Sequence, residues 1–247
     1  MKRVEKSAEP QSLADFRTAC PDGTWEQMRN DALHNGQQVY ADCRSQTGAD
    51  QRGLCAYCEI RLNENQPHKW RVEHIHPKSL SDSEHNWNLD WQNLLSVCNG
   101  GESEGCAETP LRENRSCDAS KNNSLLAVSP LDIPAFPNVF VFDKANWHLH
   151  ADPDACALAG LDAAQLEQSI ETLNLNCSRL ARLRREVLFA IEDRKKILRE
   201  KRYSPENAAP ILARGLFQTQ WPEFFTTIRC CLGAVAEDYL RSINYTS

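Results

Sequence analysis

The 247-residue chain carries 28 Lys plus Arg against 34 Asp plus Glu, a formal net charge of −6, and 41% of its residues are hydrophobic. A chain of this length buries a sizeable core without disulfide staples, so general disorder is excluded, and its acidic balance excludes a surface that grips nucleic acid everywhere. No apolar run is long enough to span a bilayer and Met1 to Pro10 lacks a signal-peptide stretch, so a soluble, cytoplasmic protein with no membrane contact is expected.

Residues 1–52 read as a helical N-terminal segment. Asp15 to Cys20 is cut by Pro21-Asp22-Gly23, after which Trp25, Met28, Ala32 and Leu33 recur at helical spacing. Residues 53–124 hold most of the Cys and His in a loop-rich composition with little apolar material, so something other than a core must hold them together. Val139 to Phe142, a polar turn at Asp143 to Asn146, and Trp147 to His150 predict a hairpin. From residue 162 the period changes: Leu180, Leu183, Val187, Ile191 and Leu198 predict one long helix. Between Arg179 and Arg202 ten Lys or Arg face four Asp or Glu, either a solvated face with intrahelical pairs or a phosphate-tracking or partner-docking surface. A Pro-Glu-Asn turn at Ser204 to Asn207 and apolar stretches at Ile211 to Phe217 and Phe224 to Leu240 complete a helical C-terminal part.

Eleven cysteines in a reducing compartment point first to metal ligation. Cys55-Ala56-Tyr57-Cys58 is a C-x-x-C knuckle, and zinc takes four such donors in a tetrahedron, with Cys98, Cys106 and Cys117 as candidates for the second pair. The competing readings are a redox C-x-x-C and plain buried cysteine; the further cysteines downstream and the missing strand–helix repeat favour zinc. Cys20, Cys43, Cys156, Cys177, Cys230 and Cys231 read as small core residues, with nothing pairing them at ligand spacing.

Between the halves of the knuckle lie Arg71-Val72-Glu73-His74-Ile75-His76-Pro77-Lys78 and Trp91-Gln92-Asn93-Leu94-Leu95, and Cys117 is followed by Asp118-Ala119-Ser120-Lys121. Carboxylates suit Mg²⁺ or Mn²⁺, and a near-neutral imidazole can take a proton from water, so the set suggests metal-assisted hydrolysis. On a regular strand Glu73 and His74 point to opposite faces, which makes His76 a rival base or supporting partner. His34, His68, His148 and His150 read as surface or core histidines.

The order C-x-x-C, E-H-x-x-P-K, W-x-N-L-L-x-x-C and C-D-x-x-K resembles the HNH endonuclease family. C-A-Y-C-E at 55–59, V-E-H-I-H-P-K-S at 72–79, S-P-L-D at 129–132 and L-N-L-N-C-S-R-L at 173–180 resemble in particular the HNH subunit of the Septu anti-phage system, also found beside retrons. The similarity runs over residues 50–200. It implies an α+β fold in which a zinc-braced ββα-metal nuclease core, residues 53–152 with the hairpin, is flanked by the N-terminal helices and by a helical, partner-docking region at 153–247. It further implies that His74 is the general base, that Glu73 and Asp118 ligate the catalytic ion, that Asn93 orients the site, and that Cys55, Cys58, Cys98 and Cys117 hold structural zinc, with Cys106 the alternative to Cys117. Lys78 or Lys121 would hold a flanking phosphate of nucleic acid, DNA before RNA. The implied partners are an ABC-type ATPase, expected to dock on the face around Arg179 to Arg202 or on the apolar segment Phe224 to Leu240, and, beside a retron, its reverse transcriptase and nucleic acid. Asp118 stands where the family usually has His or Asn. The reading from a different class is a non-catalytic zinc module that binds nucleic acid or a protein, which would have no use for Glu73, His74 and Asp118 together.

Overall fold

The computed structural model describes residues 1–82, 84–101, 112–218 and 220–246. It is an α+β arrangement of ten α-helices and two small antiparallel sheets among the described residues. Three helices come first: α1 (Gln11–Ala19), α2 (Trp25–Asn30) and α3 (Gly36–Asp50). A reciprocal capping box starts α2, with the Thr24 hydroxyl accepting from Gln27 N–H and the Gln27 carbonyl accepting from Thr24 N–H. The helix ends sooner than its apolar spacing predicts. Asp31 is extended and its carboxylate accepts from His34 N–H, so Leu33 lies in a turn with 86% of its surface exposed instead of on the core face.

Strands β1 (Trp70–His74) and β2 (Leu94–Cys98) pair antiparallel, Glu73 opposite Leu95 and His74 opposite Leu94, and the short helix α4 (Asp118–Lys121) follows. Among the described residues the sheet has two strands, and β2 is backed by a side chain. Gln51, just beyond α3, donates to the Ser96 carbonyl at 2.6 Å and accepts from its N–H at 2.7 Å, replacing the hydrogen bonds a third strand would make. The second sheet is the expected hairpin, β3 (Phe140–Asp143) with β4 (His148–Ala151).

Helices α5 (Pro153–Leu158), α6 (Ala163–Thr172), α7 (Ser178–Glu200), α8 (Pro205–Leu216), α9 (Phe225–Leu232) and α10 (Ala234–Ser242) complete the chain. The long helix falls where its leucine spacing places it. Ser204 to Asn207 is the first turn of α8 and not a free turn: the Ser204 hydroxyl caps Asn207 N–H and Pro205 occupies the first helical position, where its missing donor costs nothing.

Three apolar clusters hold the fold. The largest gathers the metal-spaced cysteines with Met1, Val4, Trp70, Val139, Phe140, Leu166, Leu180 and Phe224, so it draws on the N-terminal, central and C-terminal stretches alike. A second packs Leu13, Phe16, Trp25, Met28 and Val39 of the N-terminal helices against Val72, Leu89, Trp91 and Leu94. The third sits at the C-terminal end around Phe217, Phe225, Ile228 and Leu240. This last cluster corrects the expectation that Phe224 to Leu240 offers an apolar docking surface, because Phe225 and Leu240 are fully enclosed. Arg184 is likewise not part of a basic face: at 1% exposure it is interior, whereas Phe189, Ile197 and Ile211 are the apolar residues exposed on α7 and α8. Among the described residues no helix is long and apolar enough to cross a membrane.

Candidate metal centre and active site

Cys55, Cys58, Cys98 and Cys117 converge with all four sulfurs within 4.8 Å of one another. Sγ separations are 3.9 Å for Cys55–Cys117, 3.5 Å for Cys58–Cys98 and 3.8 Å for Cys98–Cys117. Four thiolates at zinc–sulfur distance in a tetrahedron stand about 3.8 Å apart, so the donor set fits such an ion. The expected alternative, Cys106, lies outside the described residues.

The four thiols are not alike: burial pushes Cys117 well above the usual thiol range, and against the pull of Cys117 the hydrogen bonds with Cys55 and Cys98 push Cys58 up, while Cys55 goes the other way. Burial opposes ionisation, yet hydrogen bonds from Cys117, Cys58 and Cys98 hold the Cys55 thiol well below its usual range, and Cys98 N–H donates to its sulfur at 3.3 Å. Two arginines of α7 flank the cluster. Arg179 donates to the Ser116 hydroxyl at 2.7 Å, and that hydroxyl lies 3.5 Å from the Cys117 sulfur. Burial pulls the Arg184 pKa down; among the described residues no carboxylate lies in hydrogen-bond reach of it, and the field of Glu59, Cys58, Cys177 and Cys117 compensates in part. Neither arginine is signalled by the sequence, in which they stand among six other basic residues of one helix.

Cys98 and Cys117 are brought together although a long segment separates them. Ser116 N–H donates to the Gly100 carbonyl at 3.1 Å. Gly100 has φ 61°, and a Cβ there would overlap the Ser116 carbonyl oxygen, so the contact depends on glycine.

One cleft of about 410 Å³ runs along the unpaired edge of β1, lined by Arg71, Val72, Glu73 and His74, by Asp118, Lys121, Asn122 and Asn123 from α4 onward, and by Trp25, Glu26, Arg29 and Tyr40. The alternation argument holds and is bypassed. Arg71 and Glu73 face α4 while His74 faces α2, but a free strand edge exposes both faces to one cleft. Arg71, two residues from Glu73, could have been found by the same period of two. Nothing in the sequence announces Trp25, which reaches His74 across 49 positions.

His74 is 6% exposed, and its Nε2 lies 3.0 Å from the Asn88 carbonyl. A carbonyl only accepts, so Nε2 carries the proton and Nδ1 keeps its lone pair. The Trp25 ring packs edge-on at 5.0 Å, and Asn88 is itself fixed by Trp25 N–H at 3.2 Å and by Ser81 at 2.8 Å. Burial pulls the His74 pKa down to about 4, so the ring is neutral at pH 7.

Glu73 and Asp118 are neighbours. Burial and the Asp118 carboxylate push Glu73 up to about 7, against the pull of Lys121, whose ammonium lies 2.8 Å from Glu73 Oε1 and 2.9 Å from the His74 carbonyl oxygen. Asp118 is paired with Arg71 at 2.6 Å. Lys121 therefore departs from the expected phosphate contact: at 1% exposure its ammonium is enclosed and committed to the strand end. Lys78 is half-exposed and paired with Glu26.

Asn93 is buried outside the cleft. Its carboxamide accepts from His76 N–H at 2.7 Å and donates to the carbonyls of His76 and Trp87 at 3.0 and 2.8 Å, which clamps the loop after β1. His76 is not a cleft residue; its ring stacks on Trp87 at 4.0 Å. His34 and Cys20 correct another expectation, because together with Asp31 their donor atoms lie within 4.8 Å. The end of α1 meets the turn after α2 there, and His34 Nδ1 is bonded to Asp31 at 2.8 Å.

No protein-family model matches the chain. A protein of Escherichia coli named "Retron Ec83 putative HNH endonuclease" is 37% identical over 209 residues, covering 76% of this chain and 80% of its own length. The chain belongs to the HNH endonuclease family. This membership agrees with the motif order across residues 55–121 and accounts for a cleft in which His74 meets Glu73 and Asp118, with Cys117, one of four cysteines at metal-ligand distance, next to Asp118.

Proposed function

We propose that this HNH family member hydrolyses phosphodiester bonds of nucleic acid, DNA before RNA, as the effector of an anti-phage defence complex, with His74 as general base. The observation that carries the assignment is the His74 Nε2 contact with the Asn88 carbonyl, since it puts the proton on Nε2 and leaves Nδ1 of a cleft-lining ring as the acceptor, in the same cleft as Glu73 and Asp118. Glu73 and Asp118 supply the hard oxygen donors for Mg²⁺ or Mn²⁺. Such an ion, when bound, polarises the phosphate and stabilises charge on the leaving oxygen. His74 takes the proton from the attacking water at Nδ1, Asn93 fixes the loop beyond the base, and Lys78 exchanges Glu26 for a flanking phosphate. Lys121 and Arg71 already neutralise the two acids, so binding of a divalent ion requires those contacts to be shared or released. Zinc on Cys55, Cys58, Cys98 and Cys117 is structural and sets Asp118, the next residue, against β1.

In this reading residues 1–52 wall the cleft, 53–152 carry the chemistry, and 153–247 meet an ABC-type ATPase, whose docking surface is the exposed end of α7 with Ile197 and the neighbouring Ile211 of α8. Relatedness to a retron protein supports a reverse transcriptase and its nucleic acid as further partners. The test is cleavage of plasmid DNA and of RNA by purified chain with Mg²⁺ or Mn²⁺, alone and with the ATPase. His74→Ala is expected to lower the rate about 10²- to 10⁴-fold with zinc content unchanged. Wild-type protein that cuts neither substrate under any of these conditions overturns the assignment.

A further inference from the structure

Beside the cleft three aromatic rings form a ladder. His76 lies 4.0 Å from Trp87 at an interplanar angle of 15°, and His85 lies 3.8 Å from Trp87 at 42°. Two rings this close to one centroid fit only on its opposite faces, so Trp87 is the middle rung. The ladder is built rather than accidental. Asn93 clamps the backbone of both His76 and Trp87, and His85 Nε2 is held by Asp90 at 2.8 Å. Its outer rung is open, since the His85 side chain is 46% exposed.

Fixing the loop explains His76 and Trp87, but it does not explain a third ring that is half-exposed while held over the indole at a 42° tilt. A held, exposed heteroaromatic face is a stacking surface for another flat ring. Its position narrows the choice. His76 is two residues from His74, and Asn88, next to Trp87, supplies the carbonyl that orients His74. Charge narrows it further. The net charge is −6, and of the cleft's cations Arg71, Lys78 and Lys121 are each paired with an acid while Arg29 lies over the Tyr40 ring, so Coulombic attraction to phosphates is limited and a further source of affinity is needed.

Resting on the nuclease reading above, we propose that the His76–Trp87–His85 ladder is a stacking platform for an unpaired nucleobase beside the phosphate presented to His74, and that the substrate is nucleic acid with unpaired nucleotides. Bases inside a duplex already stack on both faces and offer none to the platform, whereas single strands and loops do. The shared chemistry is the free base face, whichever sugar carries it.

Binding of labelled oligonucleotides to the full-length chain tests this by fluorescence anisotropy, with His74→Ala present so that the probes survive. The probes are a single-stranded DNA, the RNA of the same sequence, the corresponding duplex, and a strand with abasic sites. Single strands are expected to bind at least 10-fold tighter than the duplex, and the DNA and RNA arms identify the source. Trp87→Ala should weaken single-strand binding about 5- to 150-fold and leave abasic binding unchanged, with Trp87→Tyr restoring most of the loss. His85→Ala, at an exposed position, should act in the same direction with the melting temperature unchanged. Equal affinity for duplex and single strand, an equal Trp87→Ala loss on the abasic strand, or no binding of any probe overturns the platform. Wild-type cleavage that ignores Trp87→Ala and base pairing overturns the platform alone, while stacking without any cleavage overturns the nuclease reading alone.

Discussion

Replacing His74 by Gln removes a titrating ring while keeping an N–H that can reach the Asn88 carbonyl. Wild-type His74 titrates near 4 because burial penalises the imidazolium, against 6.5 in the unfolded chain. Between those values the unfolded chain binds a proton that the native state refuses, so stability falls as pH falls. The fall from 6.5 to about 4 is worth about 3 kcal/mol once pH is below 4, and about 2 kcal/mol of it is lost between pH 7 and pH 5. The raised Glu73 pKa slopes the other way over its own range, and loss of thiolate-bound metal in acid adds a further fall, but both are common to wild type and variant. The informative quantity is therefore the difference in unfolding free energy between the two proteins, from urea titrations at pH 7, 6 and 5. Wild type should lose about 2 kcal/mol relative to His74→Gln over that span. A constant difference would mean that the ring protonates freely in the folded protein, and the neutral, buried base would have to be abandoned.

Three further changes separate frame, chemistry and packing. Cys58→Ser should strip the metal and lower the melting temperature by about 10 °C or more, with hydrogen exchange accelerated across residues 53–101 and 112–124; elemental analysis and exchange mass spectrometry check both. Asp118→Ala should raise the Mg²⁺ concentration for half-maximal cleavage by on the order of 100-fold at unchanged zinc content, measured by initial rates across a Mg²⁺ series. Arg184→Glu should cost about 3–5 kcal/mol, since it buries an acid beside the thiolates, while the adjacent Arg185→Glu, on a half-buried side chain, should cost less than about 1 kcal/mol; paired denaturant melts decide this.

The difference between Arg184 and Arg185 shows what one-dimensional reading can and cannot deliver. Signals confined to a few residues were legible: the C-x-x-C of Cys55 and Cys58, the turn between β3 and β4, and the leucine spacing of α7. The ligand pairing with Cys98 and Cys117 and the clustering of Glu73, His74 and Asp118 were also expected, because motif order survives long gaps. Contacts between segments with no such motif were not. Trp25 closes on His74 through a helix docked from 49 residues away, and Asn88 orients the ring with a backbone carbonyl, which carries no side-chain signature at all. Lys121 looked like a surface cation because lysine usually is one; only its enclosure between Glu73 and the His74 carbonyl shows it to be an internal tie. Hydrophobicity misled in the same way at Phe224 to Leu240, where apolar residues pack on α7 and α8 instead of awaiting a partner.

The backbone bond from Ser116 to Gly100 also makes the chain modular at this point. Departure and return are fixed to each other within 3.1 Å, so the length of what is carried between them is uncoupled from the spacing of the Cys98 and Cys117 sulfurs. Closure entropy grows slowly with the number of residues closed off, each doubling adding only about 0.6 kcal/mol. A reporter peptide grafted into this stretch is therefore expected to leave the metal frame intact, provided Gly100 remains glycine.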